Sequence, residues 1–248
     1  MRKIVLLLGL CLLLVPFPSL AQEATITLPT PEVVKLTAAD GLTLVGDFYL
    51  VPEAEGERPT VLLLHMLRSN RTSWLSFVPA LIKSGYHVLA VDQRGHGQTG
   101  GDRDWAAAVE DANAWMNWLR EQPSVKDDSI SVIGASMGTV VALMSCANDE
   151  ACVTAIALSP VDFDLPIEEA VAEGLAERSA LLISGQRDRG SADAVRTLTQ
   201  AATGELGIYL FSGAAHGTDM LSPRNSIAAP VSHMILDWLD NHTPAESS

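Results

Sequence analysis

Ser131-Val132-Ile133-Gly134-Ala135-Ser136-Met137-Gly138-Thr139 is the stretch on which the reading of this 248-residue chain turns. Ile130 to Ile133 is a short continuous apolar run, the pattern of a strand buried on both faces. Thr139 to Cys146 reads as a helix. Between them stands G-x-S-x-G in the context that gives it meaning, a strand turning sharply into a helix. The glycines are needed because a Cβ at either position would crowd neighbouring backbone. Such a turn lifts the serine hydroxyl clear of the sheet, and the helix N-terminus beneath it favours developing negative charge. Ser136 is therefore the candidate nucleophile. The plainer alternative is a structural serine between two glycines.

Working outward, similar apolar runs recur at Val61 to Leu64, Val88 to Val91, Val153 to Leu158, Leu181 to Ser184 and Ile208 to Phe211. Helical patterns lie between them. In the clearest, Trp105, Val109, Ala112, Met116 and Leu119 form one apolar stripe, with Asp102 or Asp104 as candidate cap. Buried strands alternating with amphipathic helices predict an α/β fold, a mostly parallel central sheet with helices on both faces. Ahead of it, Thr25 to Thr37 reads as extended, Asp40-Gly41 as a turn, Leu42 to Val51 as a second strand and Pro52 to Pro59 as a loop.

At the N-terminus, Arg2 and Lys3 precede the apolar run Ile4 to Val15, and Ser19-Leu20-Ala21 offers small residues for cleavage. Residues 1–21 read as a signal peptide and 22–248 as a single domain, secreted or periplasmic, with no stable membrane association after cleavage. An uncleaved anchor is the alternative. Cleavage removes Cys11 and leaves Cys146 and Cys152, for which one internal pairing exists in an oxidising compartment. Two buried, unlinked thiols are the other option. The formal net charge is −14, and losing Arg2 and Lys3 makes it more negative. So acidic a surface repels phosphate backbones, which argues against a nucleic-acid partner.

A serine hydroxyl needs a base. The run ending at Phe211 leads into Ser212-Gly213-Ala214-Ala215-His216-Gly217, a small-residue loop in which His216 has room to reach Ser136. Of the other histidines, His87 begins a strand, His233 lies in the terminal helix and His242 in the tail, while His65 and His96 sit at strand ends. The imidazole in turn needs an acceptor to fix its tautomer. Gly185-Gln186-Arg187-Asp188 follows a strand and puts Asp188 at the carboxyl end of the sheet, where open α/β folds place their sites. Asp162 and Asp164, past the strand ending at Leu158, are its rivals. The chain order Ser136, Asp188, His216 is the one expected on this fold.

These residues resemble the α/β-hydrolase superfamily, from about Leu42 to the terminal helix. Asp92-Gln93-Arg94-Gly95-His96-Gly97-Gln98-Thr99 is similar to the family's D-x-R-G-H-G-x-S/T loop, which implies a scaffold role for Arg94 and His96. Leu63-Leu64-His65-Met66-Leu67 is similar to the family's strand ending in His-Gly, which implies that the backbone N–H groups of Leu67 and Met137 hold the oxyanion. Met66 replaces the usual glycine, so the path of that loop is open to question. Only Ser159 to Ala180 separates the sixth strand from the next, which leaves no room for the family's helical cap and implies an open site, as in dienelactone-hydrolase-like and small carboxylesterase branches. Met66, Leu67, Trp74 and Met137 are candidates for an apolar wall or for core. Arg68, Arg187 and Arg189 are either a patch for an anionic substrate or solvated loop residues, and Met66 and Arg68 are the candidate substrate contacts.

The resemblance implies hydrolysis of a small-molecule carboxylic ester through an acyl-enzyme on Ser136, His216 and Asp188. Amidase, peptidase or thioesterase action on the same residues is the alternative, as is a binding protein that keeps the fold without turnover. No metal or other cofactor is expected, because neither the histidines nor the cysteines have ligand spacing and no dinucleotide fingerprint is present.

Overall fold

The computed structural model describes residues 28–162 and 165–243, so the expected signal peptide and Asp164 lie outside the described residues. Eight strands form one sheet: β1 (Glu32–Thr37), β2 (Thr43–Tyr49), β3 (Arg58–Leu64), β4 (His87–Asp92), β5 (Val125–Ala135), β6 (Cys152–Leu158), β7 (Ser179–Gly185) and β8 (Glu205–Phe211). Their order is β1-β2-β4-β3-β5-β6-β7-β8. β1–β2 and β2–β4 pair antiparallel and every other pair is parallel. The chain passes from β3 outward to β4 and then back across β3 to β5, so the crevice beyond the carboxyl ends of β3 and β5 is the switch point at which such sheets bind ligands.

The helices are α1 (Val78–Lys83), α2 (Trp105–Arg120), α3 (Met137–Ala147), the short α4 (Ile167–Glu169), α5 (Arg189–Ala201) and α6 (Ala228–His242). Asp104 caps α2, its carboxylate accepting from Ala107 N–H at 3.0 Å. Strand periodicity divides the core in two. Leu62 and Leu64 point with Val132 towards α2 and α3, and Val61 and Leu63 point with Ile133 towards α1 and α6. All six are essentially inaccessible to solvent, and each contributes about 1.5–3 kcal/mol of burial. No helix among the described residues is long and apolar enough to cross a membrane.

Two expectations need correction here. The apolar run in β8 does not mark a strand buried on both faces: β8 is the edge strand, and Ile208, Tyr209 and Leu210 remain 38–45% exposed. A run of apolar side chains cannot signal that its strand has only one neighbour. His242 is the last residue of α6 rather than part of a tail, and its ring stacks on Trp238. Between β6 and β7 the described residues make only α4, a continuing turn of π-helix over Ala170–Gly174, and loop. Among the described residues no inserted layer covers the carboxyl end of the sheet.

Cys146, at the end of α3, and Cys152, at the start of β6, form a disulfide. They lie at the opposite end of α3 from Ser136, about 15 Å away at 1.5 Å per helical residue.

Candidate active site

The β5–α3 connection has no loop. Ser136 stands between the last strand residue and the first helical one with φ 50° and ψ −117°, a conformation that L residues disfavour. Both flanking glycines are obligatory for steric reasons. A Cβ on Gly134 would lie 2.1 Å from the Gly138 carbonyl oxygen, and one on Gly138 would lie 2.4 Å from that of Leu64. Ser136 N–H donates to Leu158 O at 2.8 Å, and the Thr139 hydroxyl donates to Ser136 O at 2.6 Å. The backbone is thereby held in its strained state, and the Oγ is raised above the N-terminus of α3. Met137 is the first residue of that helix, so its N–H has no intrahelical acceptor and is free for an oxyanion. Its side chain is fully buried, as is that of Trp74, so these two belong to the core and not to a pocket wall.

The structure brings Ser136, His216 and Asp188 together. His216 Nε2 lies 2.7 Å from Ser136 Oγ, and His216 Nδ1 lies 2.6 Å from Asp188 Oδ2. With Asp188 accepting at Nδ1, the proton sits on Nδ1 and Nε2 is left as an acceptor for the serine proton. Asp162 is exposed, and the acceptor on His216 is Asp188. The loops carrying Asp188 and His216 are laced by backbone bonds, Gln186 N–H to Phe211 O at 2.8 Å and Arg187 N–H to Gly213 O at 2.7 Å. Gly185 allows that approach, since a Cβ there would lie 2.9 Å from Gly213 O.

The segment after β3 is pinned at both ends. His65 is buried, its Nε2 accepts from Gln93 N–H at 3.1 Å, and its Nδ1 donates to Met66 O at 2.8 Å. Burial pushes its pKa down to about 4, the hydrogen bond to Met66 only partly opposing it, so His65 is a neutral structural tie. At the other end Arg71 lies 2.9 Å from Asp47 and pairs with Asp92, which also accepts from Arg71 N–H at 2.8 Å and Gln98 N–H at 2.7 Å. Gly97 is required here, because a Cβ would strike the Asp92 carboxylate. Arg94 spans Asp111 and Asp40. The loop after β4 is thus scaffold, and what it holds is the segment containing Leu67.

Met66 needs no glycine-like backbone: the positive φ in this segment falls on Arg68, at 59°. The Met66 side chain turns inward, and its sulfur lies 3.7 Å from the Thr218 hydroxyl and against Gly217. It therefore packs on the histidine loop. Leu67 is half-buried, and Arg68, Arg187 and Arg189 are exposed. Among the described residues no group of three or more His, Cys, Asp or Glu side chains is arranged to hold a metal ion.

One residue beside the site has no motif to announce it. Ser159, the first residue after β6, is fully buried with φ 56°, and its hydroxyl accepts from Gly217 N–H at 2.9 Å. Its sequence signal is a polar residue between an apolar strand and Pro160, too common to single it out.

A family model described as "Hydrolase_4: Serine aminopeptidase, S33" matches residues 56–216, about two thirds of the chain. An uncharacterized protein of Mycobacterium tuberculosis is 31% identical over 132 residues, which cover 52% of this chain and 47% of that protein. The chain spans about half the length of such curated relatives. Among solved structures, a Pyrococcus furiosus esterase is similar with a TM-score of 0.72 and 22% identity over 86% of this chain and 93% of its own. A dienelactone hydrolase from Anabaena variabilis gives a TM-score of 0.69 at 18% identity, over 87% of this chain and all of the other. Identities this low carry the fold alone.

Proposed function

The chain belongs to the Hydrolase_4 family and has the α/β-hydrolase fold, and from that premise we propose that it cleaves small carboxylic esters through an acyl-enzyme intermediate. The observation that carries the reading is the unbroken chain Asp188–His216–Ser136, with links of 2.6 and 2.7 Å. Ser136 Oγ attacks the ester carbonyl as its proton passes to His216 Nε2. The imidazolium is stabilised by Asp188, and the tetrahedral oxyanion accepts from the N–H groups of Met137 and Leu67. Collapse expels the alcohol, which takes the proton from His216. Water then repeats the sequence on the acyl-enzyme and restores Ser136. Met66, packed on the histidine loop, is not left as a substrate contact, whereas the exposed Arg68 is suited to a carboxylate on the substrate.

Esters are favoured over amides by the fold-level likeness to esterases, and the family's description keeps amide cleavage as the competing activity. The short connection from β6 to β7, with no inserted layer among the described residues, fits soluble monomeric substrates. We place the enzyme outside the cytoplasm, with residues 1–21 as a cleaved signal peptide, and the Cys146–Cys152 bridge supports an oxidising compartment.

The test is a panel of esters of increasing acyl length, with matched amides, on the mature protein. A fluorophosphonate probe should label Ser136, and Ser136→Ala should abolish both labelling and hydrolysis, with kcat falling on the order of 10⁶-fold. Hydrolysis by Ser136→Ala near the unmodified rate defeats the mechanism. Turnover of the amides with the esters inert makes it an amidase on the same residues.

A further inference from the structure

We infer that Ser159 is a positioning residue for His216, acting through its hydrogen bond to the Gly217 N–H. The inference rests on His216 being the base, as proposed above, and adds a residue that none of the motifs contains.

Three observations converge on it. Ser159 is a fully buried non-glycine residue with φ 56°, and such strain persists only where the surroundings hold it. What holds it is visible: Ser159 N–H donates to Ile183 O at 2.7 Å, and its hydroxyl accepts from Gly217 N–H at 2.9 Å. Gly217 follows His216 directly and has a positive φ of its own, 54°. It is also wedged, since a Cβ on it would lie 3.0 Å from Met66 Sδ and 3.5 Å from Ala135 Cβ. Met66 and Ala135 thus supply contact, while the peptide joining His216 to Gly217 is held at its carbonyl by Asp219 N–H, at 3.1 Å within the following turn, and at its N–H by Ser159, the one of the two bonds that ties it to another strand end.

The need for such a bond follows from the sequence of the loop. Ser212-Gly213-Ala214-Ala215 has no side chain large enough to anchor itself, and the ring of His216 is 39% exposed. Asp188 fixes the imidazole at Nδ1 but not the backbone from which it hangs. Ser159 fixes the backbone. A hydroxyl at a relaxed residue would sit elsewhere: the left-handed conformation turns it towards the histidine loop, which gives the strain a purpose.

Two variants separate this role from a merely structural one. Ser159→Gly removes the hydroxyl and relieves the strain, whereas Ser159→Ala removes the hydroxyl and keeps the strain. Both should remain folded and lose kcat alike, by about 10–100-fold, with KM unchanged, because the misplaced group is the base and not a binding contact. The downfield proton resonance of His216 Nδ1–H, assigned by its loss in Asp188→Asn, should broaden or shift in both. Wild-type kcat in either folded variant overturns the inference. So does a loss of kcat with the resonance unchanged. If Ser159→Gly does not fold, Ser159→Ala carries the test, and unfolding of both makes Ser159 a structural residue and ends the inference. Ser136→Ala in parallel distinguishes the two levels: activity surviving there defeats the mechanism itself, whereas an inactive Ser136→Ala beside an unaffected Ser159→Gly defeats this inference alone.

Discussion

Ser136 and His216 meet at 2.7 Å, but the groups that orient them come from different distances along the chain. Gly134, Gly138 and Thr139 shape the turn around Ser136, and all lie within four residues of it. Around His216 and Gly217, beside the local bond from Asp219 N–H to His216 O, the bonds span 28 residues to Asp188 and 58 to Ser159, and Thr218 meets Met66 across 152. Both sides use the same backbone device. Ser136 follows β5 at φ 50° and donates to Leu158 O, and Ser159 follows β6 at φ 56° and donates to Ile183 O. Two adjacent strands end in the same strained state, one inside a recognisable pentapeptide and one outside any pattern. The serine side is locally encoded and should resist perturbation of distant loops. The histidine side is assembled, and any loop that moves should loosen it.

The largest effect that would sharpen this contrast concerns the acid. Asp188→Asn should leave the fold intact and depress kcat on the order of 10³–10⁴-fold, since an amide can hold the wrong imidazole tautomer. Asp162→Asn should be close to unmodified protein in the same steady-state assay. The reverse result would move the acid from the end of β7 to the end of β6 and undo the assembly described above.

A smaller effect tests the packing of the two loops. Gly185→Ala puts a methyl 2.9 Å from Gly213 O, a backbone atom of the histidine loop, so that loop must shift by a few tenths of an ångström. We expect a folded protein with kcat reduced by about 10–100-fold. Gly138→Ala puts a methyl 2.4 Å from Leu64 O in the centre of the sheet and should yield little folded protein. Circular dichroism and kcat on both variants check the pair. If Gly185→Ala unfolds while Gly138→Ala stays folded and active, the locally encoded side is the tolerant one and the contrast is lost.

The smallest effect is at the far end of α3. The Cys146–Cys152 bridge closes a short loop over a sequence separation of 6, which in the chain-entropy account is worth about 2 kcal/mol. Cys146→Ser with Cys152→Ser should lower Tm by roughly 5–8 °C and leave kcat unchanged. A large loss of kcat would show that the serine side depends on distant support after all.

Legibility followed the same division. The strands β3 to β7 were readable because burial on both faces demands continuous apolar runs. Ser136, Asp188 and His216 could be singled out because each follows such a run at the carboxyl end, where a parallel sheet gathers its loops. β8 misled because exposure at a sheet edge depends on how many neighbours a strand acquires. Trp74 and Met137 could be read as wall or as core, because proximity to the site in sequence says nothing of which way a side chain turns, and both turn into the core. Met66 departs from the glycine of the family pattern, and in this segment the left-handed conformation falls on Arg68.

By itself, then, the sequence determined what hydrophobic periodicity and steric exclusion can write into a few adjacent residues: the strands, the helices between them and the turn at Ser136, where only glycine fits at positions 134 and 138. The tertiary structure alone decided which neighbours each strand would have, which way Met66 would face, and that the hydroxyl of Ser159 would meet the N–H of Gly217. Those outcomes depend on contacts between segments far apart in the chain. A buried hydrogen-bond donor must be satisfied by whatever acceptor the fold brings to it, and no spacing in the sequence records which one that will be.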